Sequence, residues 1–364
     1  MRCCIYVKSL MLVTAIIILA ISSTYGATYN FKLGYIIAEG TPIDIAAKKL
    51  AELVKQRTNG EVEITVYPAS QLGGEMDIIE KVQLGTVEMS LTSTCAIALY
   101  APELMVLDLP YLFPTYEAAY VYLAGENGQR LLKTLDSKGI TGICYFENGW
   151  RNFTSSKNEL KKPDDLKGQN IRVTQSPIYT EIIKAVGANP IPISYPELAK
   201  ALREKVVDGE ENPPVNVYSE KMYETQKWMV KDQHTYSAFI FKVNKKVWEA
   251  LPETIQKIIT NTAFEMRDFQ RKLSRECDPI YTTQLQTKGM AVYEPTKEEL
   301  LLYKTLTEPV YEKAKLICGD EWVNNVLQFK NDWDNGKYQK DADKYIMNYK
   351  KISVPTNEVM KSFK

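Results

Sequence analysis

The residues best suited to chemistry in this chain are two arginines. Arg172 interrupts the apolar run Ile171-Arg172-Val173 within "LKGQNIRVTQSP", and Arg151 stands in "ENGWRNFTSS". An arginine in a strand-like run is costly to bury, so it either turns to solvent or is held inward for something negative. A guanidinium fork grips a carboxylate through two parallel charge-assisted hydrogen bonds, a geometry lysine does not reproduce. Close by in sequence, Asn152, Thr174, Gln175 and Asn212 offer amides and hydroxyls suited to a polyol. Trp150, Tyr179 and Tyr195 offer aromatic walls. Taken alone, each arginine reads first as a surface or rim salt-bridge partner.

The catalytic inventory is poor. His234 is the only histidine, so a multi-histidine metal site is impossible and a histidine-based triad would rest on one residue. A structural or surface role suits it better. No GxSxG elbow, P-loop, GxGxxG or HExxH occurs. The acidic run "NDWDNGKYQKDAD" fails as a calcium loop, because aligning Gly336 puts Trp333 where an oxygen ligand belongs. "NFT" at Asn152 to Thr154 matches a glycosylation sequon. The pairs Asp164-Asp165 and Glu210-Glu211 read as solvated loop carboxylates, since adjacent loop side chains need not converge. No catalytic residue, metal or cofactor is therefore expected.

The 364 residues are 45% hydrophobic, enough for a large core and more than one domain. Lys+Arg and Asp+Glu both number 45, so there is no basic excess of the kind nucleic acid would demand. Residues 1–26 place Arg2 and Lys8 before "LMLVTAIIILAI" and then "SSTYGA", the order of a secretory signal cleaved after Gly26. The apolar run is short for a membrane span, which needs about 20 residues. Cys95, Cys144, Cys277 and Cys318 would remain after cleavage. Their spacing fits no zinc or CxxC pattern, though an exported protein leaves one disulfide open.

The elements that must position the arginines alternate. "YNFKLGYII", "VEITVYP" and "VEMSLTS" are strand-like. A helix capped by Thr41 with Pro42 at its start, and another over "GGEMDIIEKVQLG", separate them. The pattern restarts with strands "GITGICYF" and "GQNIRV", helix "PIYTEIIKAVG", strand "NPIPIS" and a helix capped by Ser194. "VVDGEENPPVN" reads as a turn-rich acidic loop, and "TYSAFIFKVN" as a further strand. Strand-helix alternation means parallel pairing in an α/β layer architecture, and two such units suggest two lobes with a cleft. From Pro252 to Lys288 the chain has no glycine and one interior proline, Pro279. A helix of about 35 residues reaches on the order of 50 Å, enough to cross both lobes, with Pro279 kinking or ending it. The tail from "KEELLLYKTLTEPVYEKAKLI" is helical and amphipathic.

Seven segments, "YPASQLGGE", "VQLGTVEMSLTST", "LDLPYLF", "NGWRNFTSS", "DLKGQNIRV", "GANPIPISYPEL" and "VDGEENP", occur in one order. In that order the chain resembles the DctP-type extracytoplasmic solute-binding proteins of TRAP transporters. The resemblance implies a periplasmic-binding-protein fold: two α/β lobes joined by hinge strands and a long lobe-spanning helix, closing over an organic acid. Residues 27–148 with about 238–278 would form one lobe. Residues 149–237 with about 279–364 would form the other, carrying the C-terminal helices. By the same matching, Arg172 takes the ligand carboxylate, with Arg151, Asn212 and Asn152 beside it. Ser93, Glu75, Tyr195 and Glu39 are further contacts. Glu210 stands where many relatives have glutamine, and "TQSP" after Val173 also departs from the family. The versions of the motifs favour a sugar acid such as a hexuronate, with four-carbon dicarboxylates and other organic acids as alternatives. The implied partners are small and large membrane subunits, for a monomer outside the cytoplasmic membrane. An exported enzyme acting on sugar acids is the rival of a different class.

Overall fold

The computed structural model describes residues 28–356 and residue 359; the expected leader lies outside them. The described strands form one mixed sheet in the order β2-β1-β3-β8-β4-β7-β5-β6, with β9 (Ala291–Tyr293) also on β8. In the first block β1 (Tyr29–Tyr35) pairs in parallel with β2 (Val62–Tyr67) and β3 (Met89–Ser93). In the second, β5 (Asn170–Val173) pairs in parallel with β6 (Asn189–Pro192) and β7 (Gly209–Asn212). Parallel neighbours need crossovers, and the helices supply them. They are α1 (Pro42–Arg57) and α2 (Glu75–Leu84) in the first block. After the one-turn α3 (Thr94–Ile97), α4 (Pro177–Ala185) and α5 (Tyr195–Arg203) serve the second. Thr41 caps α1 by accepting from the Asp44 N–H, as its sequence implies.

The blocks are joined by β4 (Ile140–Ser155) and β8 (Trp228–Asn244), 16 and 17 residues long and antiparallel to each other. At about 3.4 Å per residue each spans on the order of 50 Å. The first block's β3 pairs with Phe239–Val243 at one end of this ribbon. The second block's β7 pairs with Asn152–Ser155 at the other. Both strands run well beyond the apolar stretches "GITGICYF" and "TYSAFIFKVN", because Glu147, Asn148, Arg151, Asp232 and His234 hide the strand pattern yet stay inside the sheet. Between the two ends the register shifts at Glu147/Gly149 opposite Ala238/Ser237, leaving Asn148 as the extra residue of a bulge. Gly149 sits there at φ +118°, a conformation side chains rarely tolerate.

Side chains alternate across the sheet and feed two apolar layers. Phe239, Phe241 and Val243 of β8 join the layer that holds α1, while Ala238 and Ile240 join the layer that holds α4 and the C-terminal helices. The long helix α7 (Glu253–Thr287) has 35 residues and runs on through Pro279 without ending there. Between α5 and α7 lies the short helix α6 (Pro214–Ser219). The long helix packs on α1 of the first block and on α6 of the second. It is stapled to the bulge: Gln270 accepts from the Glu147 N–H at 2.9 Å and donates to the Glu147 carbonyl at 2.8 Å.

One expectation is overturned outright. "VVDGEENPPVN" is not a loop: Gly209–Asn212 is β7, and both Glu210 and Glu211 are fully buried. Neighbours on a strand point to opposite faces, so the two carboxylates find different partners instead of solvent. The four cysteines are free and buried, with no disulfide among the described residues. Asn152 of the sequon is buried in β4 with Nδ2 donating to the Trp150 carbonyl, which leaves no accessible amide for a glycan.

Candidate ligand-binding site

Because strands within each block are parallel, their carboxyl ends gather, and ligands of α/β sheets bind at such ends. Ile36 and Ile37 follow β1, Ser93 ends β3, Arg172 and Thr174 lie at the end of β5, and Asn212 ends β7. All of them line one cavity. Arg151, Asn148 and Phe239 enter it from the ribbon, Glu75 and Tyr195 from the first turns of α2 and α5, and Asn216 from α6.

Six of the eight residues proposed from sequence are thus brought together: Arg172, Arg151, Asn212, Ser93, Glu75 and Tyr195. Two are not. Asn152 lies in β4 with Oδ1 accepting from the Gln233 N–H, and Glu39 is on the surface paired with Lys48. The structure adds Asn148, Asn216, Cys95, Phe239, Ile36 and Ile37. Asn148 and Asn216 carried no local signal, since a lone amide in a turn is common. The bulge and the short α6 give them their place.

The two arginines are held differently. Arg151 forms a bidentate ion pair with Glu211, through Nε to one carboxylate oxygen and Nη2 to the other at 2.8 Å. It also donates to the Glu211 carbonyl and covers the Tyr179 ring. His234 extends the pair, with Nε2 3.4 Å from Glu211 and Nδ1 2.9 Å from Asp232. A register shift at Arg151/Phe153 and a positive φ at Gln233 turn Asp232 and His234 toward this cluster. Burial alone would lower the imidazole's pKa, but Asp232 and Glu211 outweigh it and lift His234 to about 9. Burial would raise Glu211; Arg151 and His234 instead hold it below the usual carboxylate range. His234 is therefore a buried cation between two carboxylates, in keeping with a structural histidine.

Arg172 has no such partner. Its Nε donates to the Ile193 carbonyl at 2.8 Å, and no described carboxylate forms an ion pair with it. It is 2% exposed, and burial pulls its pKa below the ordinary arginine value. The guanidinium remains a cation, desolvated and without an ion pair of its own, with Glu211 and Glu210 acting on it only at a distance. Tyr195 is alike, with its hydroxyl buried and without a hydrogen-bond partner. Across the cavity Glu75 accepts from both the N–H and the hydroxyl of Ser93, which itself caps α3. Gly73 precedes this turn at φ +101°, where a Cβ would lie 2.6 Å from the Asp77 carboxylate. That accounts for the glycine in "LGGE". Asn212 Nδ2 donates to Glu210, and Asn216 Nδ2 bridges Asn212 at 3.1 Å and Asn148 at 3.2 Å. Burial lifts Glu210 to about 7, with hydrogen bonds from Asn212 and Thr154 opposing it.

A cleft with a buried guanidinium that has no ion pair, beside hydroxyls and amides, can hold an organic anion. Residues 33–316 match the DctP family, described as bacterial extracellular solute-binding protein, family 7. The chain belongs to this family. It is 31% identical over 303 residues to the C4-dicarboxylate-binding protein DctB of Bacillus subtilis, covering 83% of this chain and 87% of that one. Among solved structures it is similar to the sugar acid binding protein DctPAm of Advenella mimigardefordensis in complex with galactonate. That likeness has a TM-score of 0.82 and 33% identity, over 84% of this chain and 99% of that one. A TRAP periplasmic solute binding protein from Sulfurospirillum deleyianum with bound succinate is similar too. Its TM-score is 0.79 and its identity 27%, over 83% of this chain and 99% of the other. This DctP-family protein is thus a TRAP-type solute-binding protein for organic acids, with the two-lobed fold of its neighbours. The family and these neighbours are transport proteins, not enzymes.

Proposed function

We propose that this protein captures a monocarboxylic sugar acid, a hexuronate or aldonate, outside the cytoplasmic membrane. The single observation carrying this reading is the charge arrangement of the cavity. Arg172 is a free guanidinium on the second block, and Glu75 is a carboxylate on the first. One end of the ligand must be anionic to compensate Arg172. Other ligand groups do best as hydroxyls, which can donate to Glu75 and accept from Tyr195. Arg151 is already neutralised by Glu211, so it orients the site and does not claim a second carboxylate. Support also comes from the galactonate complex of the Advenella neighbour.

Capture works by closure in this reading. Residues 27–148 with about 238–278 move against 149–237 with about 279–364, hinging at the Asn148 bulge where the ribbon passes between blocks. Closing the cleft excludes water and strengthens the bond between Arg172 and the carboxylate. The closed monomer then presents a surface to the small and large membrane subunits of a TRAP transporter, after export directed by residues 1–26.

Isothermal titration of hexuronates, aldonates and succinate against the mature protein tests this. A sugar acid binding more tightly than succinate supports it, and the reverse order favours a four-carbon dicarboxylate. That alternative has its own support in the Bacillus relative's name and the succinate-bound neighbour. Turnover of a bound acid would move the protein to the enzyme class.

A further inference from the structure

Glu210 stands beside Arg172. In the parallel pair β5–β7, Ile171 lies opposite Gly209, so one residue further on Arg172 and Glu210 are neighbours on the same face of the sheet. On its other side, β4 sets Thr154 directly opposite Glu210. The Thr154 hydroxyl lies 2.9 Å from Glu210 Oε1 and 2.9 Å from Gln226 Oε1, and all three residues are fully buried. A hydroxyl has one proton to give, and both of these oxygens are acceptors when Glu210 is ionised. A proton on Glu210 Oε1 removes the conflict: the carboxyl donates to Thr154, and Thr154 donates to Gln226. Reversing the Gln226 amide is the other solution, with Nε2 donating to Thr154 and Glu210 keeping its charge. Each arrangement leaves one Gln226 atom without a partner, so hydrogen bonding does not choose between them. Both leave Glu210 Oε2 to accept from Asn212 Nδ2, so the Asn212 amide keeps its place while the charge beside Arg172 changes.

We propose that Glu210 is a proton switch on anion affinity, a proposal that rests on the reading that Arg172 takes the ligand carboxylate. Neutral, Glu210 leaves the whole Arg172 charge to the ligand; ionised, it opposes the ligand carboxylate beside that arginine. Among the described residues, the charged and titratable groups that act on Glu210 are Arg172 from β5, Arg151 from β4, Glu211 on β7 itself and Tyr195 from α5. Arg151 and Glu211 neutralise each other, and Tyr195 stays a neutral phenol. Arg172 is left to feel whether Glu210 is charged. Burial lifts Glu210 to about 7, so both states are populated near neutral pH. A ligand carboxylate beside it disfavours the ionised form and raises it further. Binding therefore takes up a proton, and affinity falls as pH rises through 7.

The test is titration calorimetry of D-galactonate between pH 6 and pH 8, with succinate in its place if succinate binds more tightly. The native protein is expected to bind about fivefold more weakly at pH 8 than at pH 6. Glu210→Gln is permanently neutral, can donate to Thr154 and accept from Asn212, and should bind equally at both. At pH 7.5, in buffers of different ionisation enthalpy, the native protein should take up about half a proton per ligand and the variant none. Glu147 and Lys242 at about 7 and Asp108 at about 8 also titrate in this range, but they remain in the variant. A pH slope that persists in Glu210→Gln therefore belongs to them and overturns the proposal, as does a native affinity that is flat from pH 6 to pH 8. Glu210→Met, of similar length and unable to titrate, replaces the glutamine variant if thermal unfolding shows that Glu210→Gln does not fold. A flat native profile together with weakened binding by Arg172→Ala leaves the Arg172 reading standing. Undiminished binding by Arg172→Ala, or no binding of either acid, instead overturns that reading and the switch with it.

Discussion

Arg151 and Arg172 enter the same cavity from the same sheet and are 4% and 2% exposed. Arg151 belongs to a closed electrostatic circuit in which Glu211, His234 and Asp232 answer one another. Arg172 donates to a backbone carbonyl and feels Glu211 and Glu210 only at a distance, with no ion pair of its own among the described residues. A buried charge with a partner is part of the scaffold, because removing either member strands the other. A buried charge without a partner is a standing cost to the fold, tolerated where a ligand will offset it. The contrast divides the site into a rigid, self-satisfied wall and an open socket.

The sharpest way to break the comparison is to truncate each arginine and watch stability and binding separately. Arg151→Ala should lower the unfolding free energy of the ligand-free protein by about 3–5 kcal/mol, since Glu211 is left buried and unpaired. Urea denaturation reads this, and a loss below about 1 kcal/mol would place Arg151 outside the scaffold. Arg172→Ala should leave that stability unchanged or slightly raised. It should weaken organic-acid binding by about 2–5 kcal/mol, measured by calorimetry. If it unfolds the protein as Arg151→Ala does, the two arginines are not different in kind.

The circuit also has a pH signature. His234 titrates in the fold at about 9, above its ordinary 6.5. A raised folded pKa contributes stability fully present below 6.5 and lost as pH rises through about 9. The stability difference between the native protein and His234→Gln should therefore be largest near pH 6. It should shrink by on the order of 2–3 kcal/mol by pH 10, in denaturation curves taken across that range. A difference that does not vary with pH would mean the imidazole is not charged between its carboxylates. Tyr195→Phe carries the smallest expected effect. It should cost about 1 kcal/mol in ligand binding and nothing in stability, because the hydroxyl has no protein partner. A stability loss equal to the binding loss would move Tyr195 from socket to wall.

How much of this was legible in the sequence depends on the range of the interactions. The Thr41 cap, the 35-residue helix and the parallel alternation of both blocks follow from local rules, and the structure has them. The family motifs placed Arg172, Ser93, Glu75, Asn212 and Tyr195 at one cavity, because the ends of parallel strands converge wherever the order is kept. The full lengths of β4 and β8 were not legible. Their middle residues are polar, and periodicity arguments read polar stretches as loops. Glu210 and Glu211 were misread for the same reason, since nothing local says that Arg151 lies opposite, about 60 residues earlier.

Sequence by itself determined which elements form, in what order, and which residue types stand at the strand ends. Those outcomes depend on contacts a few residues apart. Only the tertiary structure decided which arginine is spent and which is free. That choice depends on a carboxylate brought in by β7, an imidazole brought in by a bulged β8, and the desolvation both impose. Whether a buried charge is compensated is a property of the whole neighbourhood, and the chain assembles that neighbourhood only when it folds.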